Sequence, residues 1–187
     1  STASYDSVSF SFSSQDTSPY DIEFNSSGTK MYMTGVNSGS VHQYTLSTAY
    51  DLSTASYDSV SFSVTSQNSF PSAVTFNTTG SKMYVVGFNF GGTVYQYSLS
   101  TDYDLSTSSY DSVSFSVNTQ ESGPRAITFN TDGSKMYIVG DSSDTVFEYN
   151  LSTSFDLSTA SYSSVNFSVL PQESAAYGLE FNSDGTK

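Results

Sequence analysis

The sequence predicts an all-β chain of repeated four-stranded units, and three observations predict it. A word returns along the chain, STASYDSVSFS at Ser1 and Ser53, STSSYDSVSFS at Ser106 and STASYSSVNFS at Ser158, at spacings of 52, 53 and 52 residues. Each unit holds several short stretches that alternate apolar and polar residues with period two, the pattern of a strand with one buried face. The 14 Phe and 15 Tyr of the 187 residues stand among Ser and Thr, a composition that favours strands over helices. The units run 1–52, 53–105, 106–157 and a partial 158–187, and together they form a single repeat domain.

Within a unit the first strand is VSFSF from Val8, repeated as VSFSV from Val60 and Val113 and VNFSV from Val165. The second is DIEFN from Asp21, with counterparts AVTFN, AITFN and GLEFN. The third, KMYMTG from Lys30 and its relatives KMYVVG and KMYIVG, is apolar on both faces and belongs inside a sheet. The fourth is VHQYTL from Val41, matched by VYQYSL and VFEYNL. Asn-x-x-Gly separates the second and third strands at Asn25–Gly28, Asn77–Gly80, Asn130–Gly133 and Asn182–Gly185, and these residues accept the left-handed backbone of a tight hairpin. Counted from the N-terminus, this reading gives fourteen strands. The last word, FNSDGTK, is the first half of a hairpin, so the chain is expected to be part of a longer array or to have its missing strands supplied by another copy.

Four antiparallel strands at this period describe a β-propeller, in which each blade buries its faces against its neighbours. The pattern P-x-x-[IV]-x-F-N-x-[SDT]-G-[ST]-K-M-Y-[VIM]-[VT]-G, followed by T-V-x-x-Y, resembles the YVTN-type repeat of lactonase-like propellers. Repeats with the DLSTASYDSVSFSV connector are similar to those in marine phage and bacterial surface or structural proteins. The resemblance implies a propeller fold and an extracellular or virion-surface setting, and it raises a lactonase-like activity as an alternative.

Net charge −13 with five basic residues argues against nucleic acid, because affinity for a phosphate backbone comes mainly from Lys and Arg. With no cysteine there is neither a disulfide nor a thiolate metal site, and no apolar run is long enough to insert in a membrane. The chain opens on Ser1, and the reading is of a soluble chain, cut from something longer or processed. One His, a single Arg and no Cys provide no nucleophile and base pair, so the expectation is a non-enzyme without catalytic residues, cofactor or metal.

Comparing the units with one another separates fixed slots from variable ones. Lys30, Lys82, Lys135 and Lys187 share one slot and are expected to pair with a nearby acid. His42 aligns with Tyr95 and Phe147, an aromatic packing slot. Asp51, Asp104 and Asp156, like Asp6, Asp58 and Asp111, are read as turn and cap residues. Gln15, Gln67, Gln120 and Gln172 are expected to tie each blade to the next through backbone bonds. Variation collects in the loop before the second strand (QDTSPYD, QNSFPSA, QESGPRA, QESAAYG) and in the loop after the third. Both loop families fall on one face of a propeller, a rigid scaffold with variable loops on one side. Tyr20, Phe70, Phe88, Phe90, Arg125 and Tyr177 are therefore the candidate ligand-face residues, for a glycan or protein ligand. The reading is a non-enzymatic binding module, with a purely structural scaffold as its main alternative.

Overall fold

The computed structural model describes residues 4–88, 91–182 and 185–186. Three four-stranded antiparallel sheets follow one another like propeller blades, β1-β2-β3-β4, β5-β6-β7-β8 and β9-β10-β11-β12. The first blade is β1 Pro19–Phe24, β2 Lys30–Gly35, β3 Ser40–Leu46 and β4 Ala55–Ser63. The second is β5 Pro71–Phe76, β6 Lys82–Gly87, β7 Thr93–Leu99 and β8 Ser108–Ser116. The third is β9 Pro124–Phe129, β10 Lys135–Gly140, β11 Thr145–Leu151 and β12 Ala160–Ser168. The outer strand of each blade thus comes from the next sequence unit. The inner strands β1, β5 and β9 pack side by side and line the central channel.

Local chemistry explains each blade. Gly28, Gly80 and Gly133 close the β1–β2, β5–β6 and β9–β10 hairpins at φ of 68°, 78° and 70°. A side chain there would also strike the ring of Tyr50, Tyr103 or Phe155, so two constraints select glycine. The KMYxxG strands are the buried centre as expected, with Met31, Met33, Met83, Tyr84 and Met136 fully enclosed. Asp51, Asp104 and Asp156 each cap a one-turn 3-10 helix by accepting the N–H of Ser53, Ser106 or Ser158.

The ends of the chain depart from the fourteen-strand expectation, because twelve strands form among the described residues. Val8–Phe12 and Gly178–Asn182 have no neighbouring strand to bond, and extended backbone without cross-strand bonds is not a strand. Both segments nevertheless keep the packing of their counterparts. Phe10 meets Tyr44 edge-on at 5.5 Å, as Phe62 meets Tyr97 at 5.4 Å and Phe115 meets Tyr149 at 5.5 Å. Phe181 lies 4.8 Å from Tyr137, as Phe76 lies 4.5 Å from Tyr32 and Phe129 lies 4.6 Å from Tyr84.

Lys30, Lys82 and Lys135 each pair with an acid as expected, Lys187 lying outside the described residues, but the acids are not where they were expected. A bulge between Gln43 and Tyr44 pushes Asp58 and Ser59 out of register, with Ser59 at φ 58°. This aims Asp58 at Lys30 (2.7 Å), and the same bulge aims Asp111 at Lys82 (3.3 Å). These two aspartates are therefore ion-pair partners and not turn residues, because the bulge turns them back across the sheet; Asp6 alone of its set accepts a local N–H, from Val8. In the third blade Ser163 replaces the aspartate, and Lys135 pairs instead with Glu148 at 2.8 Å. Glu148 fills the slot of Gln43 and Gln96, so the acid has moved across the pair without leaving the lysine alone.

The ties between blades also differ from expectation. Gln15, Gln67 and Gln120 accept the hydroxyls of Tyr44, Tyr97 and Tyr149 at 3.4–3.5 Å, and it is a side chain, not backbone, that they bond. The glutamines that reach across are Gln43 and Gln96. Gln43 donates to Asp58 and accepts the buried N–H of Leu105 at 2.8 Å, and Gln96 does the same with Asp111 and Leu157.

Gln43→Met is expected to leave the Leu105 N–H without an acceptor and to cost about 1–3 kcal/mol, read as a lower urea midpoint at unchanged slope. An unchanged midpoint would show that the blades do not depend on this bond.

Candidate functional site: the mouth of the central channel

Unit-to-unit spacing puts Tyr20, Ser72, Arg125 and Tyr177 in one structural slot, at the start of each inner segment. Because the inner segments converge on the channel, residues far apart in sequence meet there. The Arg125 guanidinium lies 4.4 Å from the Phe88 ring centre, 5.3 Å from that of Tyr177 and 5.6 Å from that of Tyr20. Phe88 in turn packs against Phe70 at 5.5 Å and Tyr20 at 6.1 Å. Five of the candidate ligand-face residues, Tyr20, Phe70, Phe88, Arg125 and Tyr177, thus form one cluster with contributions from all four units. Phe90, the sixth, lies outside the described residues.

Asp141, in the variable loop after β10, holds the arginine in place. Both Nε and Nη2 of Arg125 donate to the same oxygen, Asp141 Oδ2, at 2.9 and 2.6 Å. Burial works against the guanidinium charge, but this pairing outweighs it and holds the pKa above its ordinary value. A cation stacked among rings gains from their negative faces, most where water is excluded. Tyr20, Phe70 and Tyr177 remain 43%, 40% and 58% exposed, so the cluster also presents aromatic surface to solvent.

Deeper in the channel stands a group of carboxyls: Asp21 and Glu23 on β1, and Glu180 on the fourth inner segment. Asp21 accepts the Val74 N–H at 3.0 Å, and Glu23 accepts the Thr75 hydroxyl at 3.4 Å. Burial pushes the Asp21 carboxyl up to about 6, with Glu180 adding repulsion. Glu23 is pushed up to about 8, by burial first and then by Asp21 and Glu180. Glu23 and Glu180 open onto a cavity of about 670 Å³ on the hairpin side, walled by Phe24, Phe76, Phe129 and Phe181. Among the described residues no group of three His, Cys, Asp or Glu is placed to hold a metal ion. His42 sits apart in its packing slot, 3.1 Å from Ser38 Oγ and 6.0 Å from the Tyr57 ring, and burial holds its pKa below the ordinary value.

Sequence reasoning did not single out Asp21, Glu23 and Glu180. Their signal was present in the unit comparison, where D-I-E and G-L-E stand against A-V-T and A-I-T. Asp141, which fixes the arginine, stands in the variable loop after the third strand, where nothing local in the sequence names its partner.

No family profile and no curated protein matches the chain. Solved structures do. A provisionally assigned 6-phosphogluconolactonase from Bacteroides fragilis superimposes with TM-score 0.59 at 13% identity over 81% of this chain and 39% of its own. One from Bacteroides uniformis gives 0.60 at 12% identity over 81% and 40%. A protein of unknown function from Desulfotomaculum acetoxidans gives 0.57 at 15% identity over 81% and 43%. The chain spans about two-fifths of the length of these structures. At such identities the likeness shows the fold alone, a β-propeller.

The channel acids predict an inverted pH response. A carboxyl whose folded pKa is raised binds its proton more tightly in the folded state, so its contribution is full below the unfolded pKa and is lost as pH rises. Asp58 and Asp111 act in the opposite sense: against the pull of burial, their hydrogen bonds and lysine partners hold them below the usual range, and their stabilisation is lost in acid. Unfolding free energy is expected to peak near pH 4–5, roughly where free carboxyls titrate, and to fall toward pH 8. Glu23→Gln is expected to flatten that fall in denaturant titrations; an unchanged pH profile in the variant would rule out Glu23 as its source.

Proposed function

We propose that the chain is a non-enzymatic binding module and that its ligand face is the channel mouth built by Tyr20, Phe70, Phe88, Arg125 and Tyr177. The observation that carries this reading is the convergence of the variable positions of four units on one partly exposed aromatic and arginine cluster. The connector and the KMYxxG strand, by contrast, repeat nearly unchanged. Exposed rings on a rigid ring of strands suit the apolar face of a sugar, so a glycan is the favoured ligand. The similarity of the repeats to those of phage and bacterial surface proteins supports an extracellular or virion-surface setting. The same reading includes association through the last blade. Val165 and Phe167 of β12 are 54% and 69% exposed, whereas Val60, Phe62, Val113 and Phe115 pack under the following blade.

The lactonase-like alternative rests on Glu23, a channel carboxyl that keeps its proton near neutrality. Turnover of sugar lactones that Glu23→Gln abolishes would establish that alternative in place of the binding module.

Glycan-array binding is expected for the whole chain, and Phe70→Ala and Tyr177→Ala are each expected to weaken it about tenfold, the scale of one aromatic contact. Absence of binding to any glycan, with both variants indistinguishable from the parent chain, would favour a purely structural scaffold.

A further inference from the structure

We propose that the ligand of the channel mouth is an acidic saccharide, whose carboxylate is taken by Arg125 while its sugar ring lies on the surrounding aromatic residues. This rests on the binding-module reading above and adds the charge and class of the ligand. Arg125 spends Nε and Nη2 on one oxygen of Asp141, and its Nη1 is buried with no hydrogen-bond partner. A guanidinium is built for two-pronged contact with a carboxylate, and here one prong is unused. A buried donor without an acceptor is costly and is rare in folded proteins, so Nη1 needs an acceptor from outside the chain.

A second orphan lies in the same blade-to-blade region. Asn68 is wholly buried, and its Nδ2 has no partner. The equivalent positions carry Asp16 and Glu121, whose oxygens accept N–H groups from the loop after the third strand: Asp16 from Ser38 at 2.7 Å, and Glu121 from Ser142 and Ser143 at 3.2 Å each. Asn68 instead lies against Gly87, its Oδ1 accepting the Phe70 N–H at 2.9 Å and its Nδ2 left without an acceptor. The orphan that faces the mouth, Arg125 Nη1, is a donor, so what seats there brings an acceptor and not an amine.

A polyanion with several charges on each sugar does not suit a chain of net charge −13 with Asp141 already on the arginine, whereas a single carboxylate per ring does. Tyr177 is the ring that yields to admit the carboxylate. It is the most exposed of the three over the guanidinium, on a segment without ladder bonds.

The test is calorimetric titration of the whole chain with oligogalacturonate, its methyl ester, a neutral galactan and a short peptide with a free C-terminal carboxylate. Oligogalacturonate is expected to bind about tenfold or more tighter than its ester, the scale of one charge-assisted contact. Arg125→Gln should erase the difference, and Arg125→Lys should erase most of it. Equal binding of acid and ester, or a preference that survives Arg125→Gln, would overturn the acidic class and leave a neutral-glycan module standing. Binding of the peptide alone would overturn the saccharide. No binding of any saccharide or peptide would remove the proposal and the binding-module reading together.

Discussion

Each blade is completed by the next, and the contact that does it is a tyrosine from the KMYxxG strand. Tyr32 is wholly buried, stacks on Phe76 of the following blade and donates its hydroxyl to the carbonyl of Tyr103 at 2.6 Å. Tyr84 repeats this with Phe129 and the carbonyl of Phe155. The ring supplies apolar burial and the hydroxyl satisfies a connector carbonyl, so one side chain both packs the interface and fixes its register. Burial also pushes both phenols far above their ordinary pKa, which keeps them donors at any ordinary pH. The convergence of the inner strands, and with it the channel mouth, follows from this spacing of blades.

The fold was legible because the chain states it repeatedly. Period-two alternation located the strands, Asn-x-x-Gly located the hairpins, and the buried centre strand was visible as the run apolar on both faces. What escaped was long-range. The word YDS reads as a turn when taken locally, yet Asp58 and Asp111 are turned by a bulge onto lysines 28 and 29 residues away. Gln15 and Gln43 are equally polar in sequence, and only tertiary placement decides that one accepts a tyrosine hydroxyl and the other a neighbouring blade's amide. The end strands were over-counted because pattern marks a residue run as strand-like, whereas a strand exists only with a partner.

The site was half legible for a related reason. Variation between units marked the aromatic and arginine positions, and the shared slot of Tyr20, Arg125 and Tyr177 brought them together. The acids Asp21, Glu23 and Glu180 lay in conservative-looking inner segments, where one or two substitutions in a unit draw no notice. Burial raises the proton affinity of each, and their convergence adds repulsion at Asp21 and Glu23.

The exchange of Asp and Gln in the first two blades for Ser163 and Glu148 in the third bears on how such an array can change its length. Lys82 and Gln96 lie in one sequence unit, whereas Asp111 lies in the next. Loss of the unit 106–157 by recombination at the repeat boundaries would join Lys82 and Gln96 to Ser163 and strand the lysine without an acid. Insertion of a copy of that unit after itself would set Glu148 and Lys135 beside a second Asp111, two acids on one lysine. Although the words are nearly identical, the seams between them are not interchangeable: loss of the unit 53–105 would rejoin Lys30 and Gln43 to Asp111, a matched set, whereas loss of 106–157 would not leave one.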